Sequence, residues 1–210
     1  WIEFGNRLLT FALFFAAVAT LIAVVRSGRP DLRFLAATQI LGILAQGVLG
    51  GITVLTNLNP LSVASHLLLS IILIAAATSL HSRRHHPQVR TSSTQVRISR
   101  LSLAHIVVAF IAIAIGTLVT GSGPHAGDVD APRLDFHIST ITRLHSSSVW
   151  TLLIITFIFY RSKDLRFETK KWLNIFILLA IAQGTLGYIQ YWLAVPELLV
   201  GFHLLGSVFV

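Results

Sequence analysis

Residues 45–70 read "AQGVLGGITVLTNLNPLSVASHLLLS", and residues 182–207 read "AQGTLGYIQYWLAVPELLVGFHLLGS", identical at 12 of 26 positions without a gap. Both segments are apolar, yet both keep a glutamine and, 20 residues on, a histidine: Gln46 to His66 and Gln183 to His203. A polar side chain inside an apolar run is costly unless it has work to do. A duplicated pair at fixed spacing therefore fixes the architecture and the candidate site together.

The surrounding chain is that of a membrane protein. Mean hydropathy is +0.78, with 54% hydrophobic and only 11% charged residues, far from the balance of a water-soluble domain. Apolar runs of the length that crosses a bilayer as helix lie at roughly 8–25, 33–56, 61–80, 101–120, 141–160 and 172–193, and a seventh begins near Glu197. They are long and continuous and lack the alternation of membrane barrel strands, which leaves helices. The expected fold is an all-α integral membrane protein.

Positive charge sits in alternate loops. Arg26, Arg29 and Arg33, then Arg83, Arg84, Arg90, Arg97 and Arg100, then Arg161, Lys163, Arg166, Lys170 and Lys171 make 13 of the 16 basic residues. The positive-inside rule makes these loops cytoplasmic and the protein a multi-pass protein of the cell membrane. The excess is thus a topology signal rather than a nucleic-acid footprint. Under this topology His66 and His203 both lie near the outer starts of their spans. Four spans separate them, so the two copies share one orientation, as in a parallel repeat. The expected organisation is an N-terminal half at 1–80, a basic cytoplasmic linker at 81–100 and a C-terminal half at 101–210. Each half is expected to be a four-helix bundle, with the first helix lying before Trp1 and the last one cut at Val210. The absence of cysteine excludes thiolate and Fe–S chemistry for this segment.

The second helices of the halves correspond as well. "FGNRLLT" around Asn6 faces "ITRLHSSS" around His145, and the intervals Asn6 to His66 and His145 to His203 are 60 and 58 residues. Paired imidazoles on facing helices hold heme iron in membrane b-type cytochromes. The bland alternative is a hydrogen-bonded interior histidine, and repetition at fixed spacing argues against it. Gln46 and Gln183, with their following glycines, read as packing features, small residues three apart with an amide able to bond across; lining a pocket is the other reading.

"WIEFGNRLL" at Trp1, "VTGSGPHAGD" at Val119, "RLHSSSVW" at Arg143 and "GFHLLGS" at Gly201, in this order and with the repeat, resemble heme A synthase of the actinobacterial type. The resemblance covers nearly the whole chain. It implies an eight-helix membrane enzyme that oxidises the C8 methyl of heme O to the formyl group of heme A, for terminal oxidases of the aa3 kind. It further implies a heme b in the C-terminal half held by His145 and His203. The N-terminal half becomes the substrate side for heme O, with Glu3 as catalytic carboxyl and His66 as axial ligand. Asn6 departs from the pattern, standing where many members have a histidine; an amide is a poor iron ligand, which leaves one iron position open or weakly held. Membrane lipid, heme O synthase, terminal oxidase assembly factors and an electron partner are the implied associations.

Glu3 and Asn6, three residues apart, share a helix face. A desolvated carboxyl has a raised pKa, suited to proton transfer near neutral pH, and as a carboxylate it stabilises developing positive charge; a water-facing interfacial glutamate is the alternative. Arg7 and Arg143 are candidates for the heme propionates or for lipid headgroups. His125, Asp128, Asp130, Asp135 and His137 between spans match no compact metal motif, and a structured cap is the stronger reading. His81, His85 and His86 belong to a basic stretch that reads as a lipid anchor. Two further classes compete: a non-catalytic di-heme b-type cytochrome passing electrons, and a transporter. The transporter reading lacks charged residues near the midplane.

Overall fold

The computed structural model describes residues 2–84, 93–124, 130–163 and 165–210, with the side chains of residues 2–4, 6–7 and 93–99 outside the described set. Seven helices account for most of these residues: α1 Ile2–Arg26, α2 Pro30–Leu55, α3 Pro60–Arg83, α4 Ser93–Ser122, α5 Ile138–Tyr160, α6 Phe167–Trp192 and α7 Glu197–Ser207. The first six are long and apolar enough to cross a membrane. Large apolar side chains such as Phe34, Leu55 and Leu178 are exposed along them, as lipid contact requires and water would penalise. The chain is an all-α, multi-pass membrane protein.

The helices overrun the apolar stretches. α1 begins before residue 8 and α4 before residue 101, because hydropathy marks only the part in hydrocarbon while a helix continues until its end groups are capped or solvated.

The chain divides into two compact units, Trp1–Val89 and Arg90–Val210. In the first, α2 packs on both α1 and α3. Its buried cluster of Val24, Leu32, Ala36 and Leu80 gathers the end of α1, the start of α2 and the end of α3. Arg29 closes that end. Its guanidinium donates to both Asp31 oxygens, at 2.9 and 2.8 Å, and to the carbonyls of Arg83 and Arg84, at 3.1 Å each. A cation thus satisfies the last carbonyls of α3, where the helix dipole favours positive charge. In the second unit α5 packs on α4 and α6, and α6 on α7, with a corresponding buried cluster of Phe159, Leu165 and Leu173.

The turns that set the register of the repeated segments have the same backbone. Between α2 and α3, Asn57 and Leu58 have φ of 51° and 57°; between α6 and α7, Ala194 and Val195 have 57° and 62°. In the first turn Leu58 N–H donates to the Thr53 carbonyl at 2.9 Å and Asn57 N–H to Val54 at 3.2 Å; in the second Val195 N–H donates to Gln190 at 2.7 Å and Ala194 N–H to Tyr191 at 3.3 Å. Every position is offset as in the sequence repeat. The two helical hairpins α2–α3 and α6–α7 are therefore repeats in conformation as well as in residues. Their starts are capped differently: the Asn59 side chain accepts from Leu61 N–H at 3.0 Å ahead of α3, whereas Pro196 precedes α7.

Candidate functional site

In the first unit His66 occupies the second turn of α3 and rests on α2 at Gly50, where a Cβ would lie 3.6 Å from the ring Cε1. One turn before that glycine, Gln46 bonds across the hairpin. Its Nε2 donates to the His66 carbonyl at 3.1 Å and to Ser70 Oγ at 2.7 Å, while Ser70 Oγ itself donates to the His66 carbonyl at 3.0 Å. The glutamine therefore holds the backbone of α3 at the histidine rather than the imidazole. Gln46 Oε1 and His66 Nδ1 are buried without hydrogen-bond partners. A buried polar atom left so is expensive, and His66 retains its full capacity to bind something else.

The second unit repeats this bed and adds a second histidine. His203, in the second turn of α7, rests on Gly187 of α6, where a Cβ would lie 3.4 Å from Cε1. Its Nδ1 is buried without a hydrogen-bond partner. The Gln183 side chain lies over Gly206 of α7. His145, on α5, rests on Gly116 of α4 at 3.1 Å by the same measure, and its Nδ1 is 3.0 Å from the Ala112 carbonyl. A carbonyl only accepts, so Nδ1 carries the proton and Nε2 keeps its lone pair.

The rings of His145 and His203 have centroids 6.4 Å apart and planes at 84°. Two imidazoles bound to one metal ion from opposite sides, with bonds of about 2.0 Å each, have centroids about 6.3 Å apart. Among the described residues no group of three His, Cys, Asp or Glu side chains gathers at a point, so this centre offers two protein ligands. Two axial imidazoles suit an iron whose remaining four positions are filled by a porphyrin. The tautomer of His145, the unpartnered Nδ1 of His203 and the ring spacing all fit heme.

Other candidates divide. Glu3, Asn6 and Arg7 fall in the first two turns of α1, and their side chains lie outside the described residues. Arg143 is exposed on α5; it precedes His145 by two residues, about 200° around the helix. In the segment before α5, His137 Nδ1 pairs with Ser139 Oγ at 2.9 Å, and Arg133 donates to the Pro124 carbonyl at 3.0 Å. The Leu134 N–H bonds the Gly121 carbonyl at 2.9 Å, which ties this segment to the end of α4. His125 and Asp128 lie outside the described residues, as do His85 and His86.

Sequence reasoning read the glycines after each glutamine as helix-packing residues. Instead Gly47 and Gly184 face open space, while Gly50 and Gly187 lie under the histidine rings. The signal was present: each is 16 residues before its histidine. Gly116 was missed, because nothing in the sequence ties it to His145. His105 was missed too, an interior histidine of α4 set 4.6 Å from the Phe176 ring with Nε2 buried and unpartnered.

A family model described as "Cytochrome oxidase assembly protein", COX15-CtaA, matches residues 1–135. These residues span the first unit and α4, and stop short of His145 and His203. No curated protein and no solved structure matches the chain. With well over half of its 210 residues matched, the chain belongs to the cytochrome oxidase assembly protein family COX15-CtaA, the heme A synthase family.

Proposed function

We propose that the protein is a heme A synthase that oxidises the C8 methyl of heme O to a formyl group. The observation that carries this reading is the His145–His203 ring pair at 6.4 Å, joined to family membership and to a second histidine bed around His66. In this reading His145 and His203 hold a heme b in the second unit, and His66 supplies one imidazole to heme O in the first. With Asn6, an amide, where an imidazole would bind more strongly, heme O would be held loosely, which suits a substrate that enters and leaves. When bound, heme iron supplies the redox chemistry. The chain's part is to place the methyl and to manage protons. Glu3, one helical turn from Asn6, is the carboxyl that would take up a proton at the C8 methyl. In its ionised form it stabilises positive charge developing on that carbon. Arg7 and Arg143 pair with propionates, the weaker assignment being the exposed Arg143. The basic loops face the cytoplasm and both heme sites lie toward the opposite surface, within reach of a heme O donor, an electron partner and the oxidase assembly machinery.

One observation favours a second reading, a di-heme cytochrome that only passes electrons: His66 and His203 rest on glycines at the same register, as two resident hemes would require. The deciding experiment is expression of the full-length protein in a host that makes heme O but no heme A, with the hemes then extracted and separated. Heme A in the parent, and none or only a hydroxylated intermediate with Glu3→Ala, is expected. Bound heme B with heme O untouched in both would overturn the synthase and favour electron transfer.

A further inference from the structure

Resting on the reading of His145 and His203 as heme ligands, we infer that Gly116 is a positioning residue that sets the electron-donating strength of His145. A helical carbonyl bonds the N–H four residues on and keeps a second lone pair directed outward. The Ala112 carbonyl is the helical acceptor of the Gly116 N–H, and the same carbonyl takes the Nδ1–H of His145 at 3.0 Å. A side chain at residue 116 would stand in the path of the ring. Two other imidazoles also rest on glycines, His203 on Gly187 and His66 on Gly50, but their Nδ1 atoms are without hydrogen-bond partners.

The distances rank the three. A Cβ at Gly116 would lie 3.1 Å from Cε1 and 3.4 Å from Nδ1 of His145, inside the about 3.5–4.0 Å at which carbon atoms pack comfortably. The ring would have to withdraw by a few tenths of an ångström, along the direction that lengthens its bond to Ala112. At Gly187 and Gly50 the corresponding 3.4 and 3.6 Å are near ordinary contact. An imidazole whose Nδ1–H is held by a carbonyl is a stronger donor through Nε2 and favours ferric over ferrous iron. Withdrawing that bond weakens the preference, and the reduction potential rises.

The test is a redox titration of the b heme in the purified full-length holoprotein, comparing the parent with Gly116→Ala, Gly187→Ala and, as control, Gly184→Ala, whose Cβ would enter open space. Gly116→Ala is expected to lower the ferric-to-ferrous binding ratio about tenfold, an upward shift of about 59 mV for one electron. The ferric low-spin spectrum should move with it. Gly187→Ala, beneath a ring with no carbonyl bond to lose, and Gly184→Ala should both leave the potential unchanged. A parent with a bis-imidazole low-spin heme and an unshifted Gly116→Ala overturns the inference alone, as does an equal shift in Gly184→Ala. A parent without such a heme overturns the ligand reading as well. Should Gly116→Ala lose its heme altogether, Gly187→Ala decides: heme kept at the parent potential upholds the inference, and loss of heme there as well overturns it.

Discussion

The hairpins α2–α3 and α6–α7 share a backbone and part company in what surrounds the histidine. Around His66 a glutamine and a serine grip the helix backbone: Gln46 reaches the His66 carbonyl and Ser70, with the three bonds between 2.7 and 3.1 Å. Around His203 the corresponding glutamine lies over Gly206 instead, and the gain is a facing imidazole, His145, at 6.4 Å. One hairpin holds its own backbone still beside one imidazole; the other presents its imidazole to a second. On the proposed reading, the second arrangement would suit a resident cofactor and the first a substrate that must leave.

The largest expected effect tests the facing pair. His145→Ala or His203→Ala should abolish the bis-imidazole heme spectrum of the purified protein, since a single remaining ligand leaves one axial position empty. A low-spin heme surviving in both variants would show that the pair is not the heme site. Before either substitution, the near-perpendicular ring planes, at 84°, call for a strongly anisotropic ferric low-spin resonance; a spectrum typical of parallel rings would contradict this geometry.

The next substitution turns the first unit into the likeness of the second. If residue 6 faces the iron bound by His66, as the proposed reading has it, Asn6→His adds a second imidazole there and is expected to trap heme in the first unit as a second six-coordinate low-spin species. Heme A formation should fall several-fold as the substrate site closes, a rise in barrier of about 1 kcal/mol. Unchanged heme stoichiometry and unchanged turnover would mean that residue 6 does not face the iron bound by His66.

Gln46→Leu separates the two hairpins by stability. It removes two buried hydrogen bonds, each worth about 0.5–1.5 kcal/mol net, and leaves Ser70 alone on the His66 carbonyl. Gln183→Leu removes no such pair. Thermal denaturation of the purified variants should therefore place Gln46→Leu below Gln183→Leu. The reverse order would mean that the contact between Gln183 and Gly206 carries the greater share.

Much of this was legible before any coordinates. Hydropathy located six of the helices and the start of the seventh near Glu197, and the duplicated Gln–His spacing picked out His66 and His203, because a polar residue in an apolar run has few innocent explanations. The partner His145 was reached only through the correspondence between second helices and through family resemblance. What stayed hidden was the role of the glycines. Gly116 is 29 residues from His145, and its use depends on where two helices touch, which no local pattern records. The loops were equally opaque. Leu58 and Val195 adopt positive φ, a conformation that local propensity assigns to glycine or asparagine, so tertiary packing overrides propensity at both turns.

That override gives the smallest effect and the most local comparison. Val195 is β-branched and has φ of 62°, which costs about 1–2 kcal/mol relative to a right-handed conformation. Val195→Gly relieves this strain but gives back about 0.5–1 kcal/mol through the greater freedom of glycine in the unfolded chain. The net is a stabilisation between zero and about 1.5 kcal/mol, a rise of a few degrees or less in the denaturation midpoint. Asn57 already occupies the left-handed region in the other hairpin, where its residue type is at ease, so Asn57→Gly should be neutral or slightly destabilising. If both glycine variants lower stability alike, the turns are held by side-chain packing rather than merely tolerated by it. The shared φ values would then be the means by which the chain fixes each histidine 16 residues beyond its glycine.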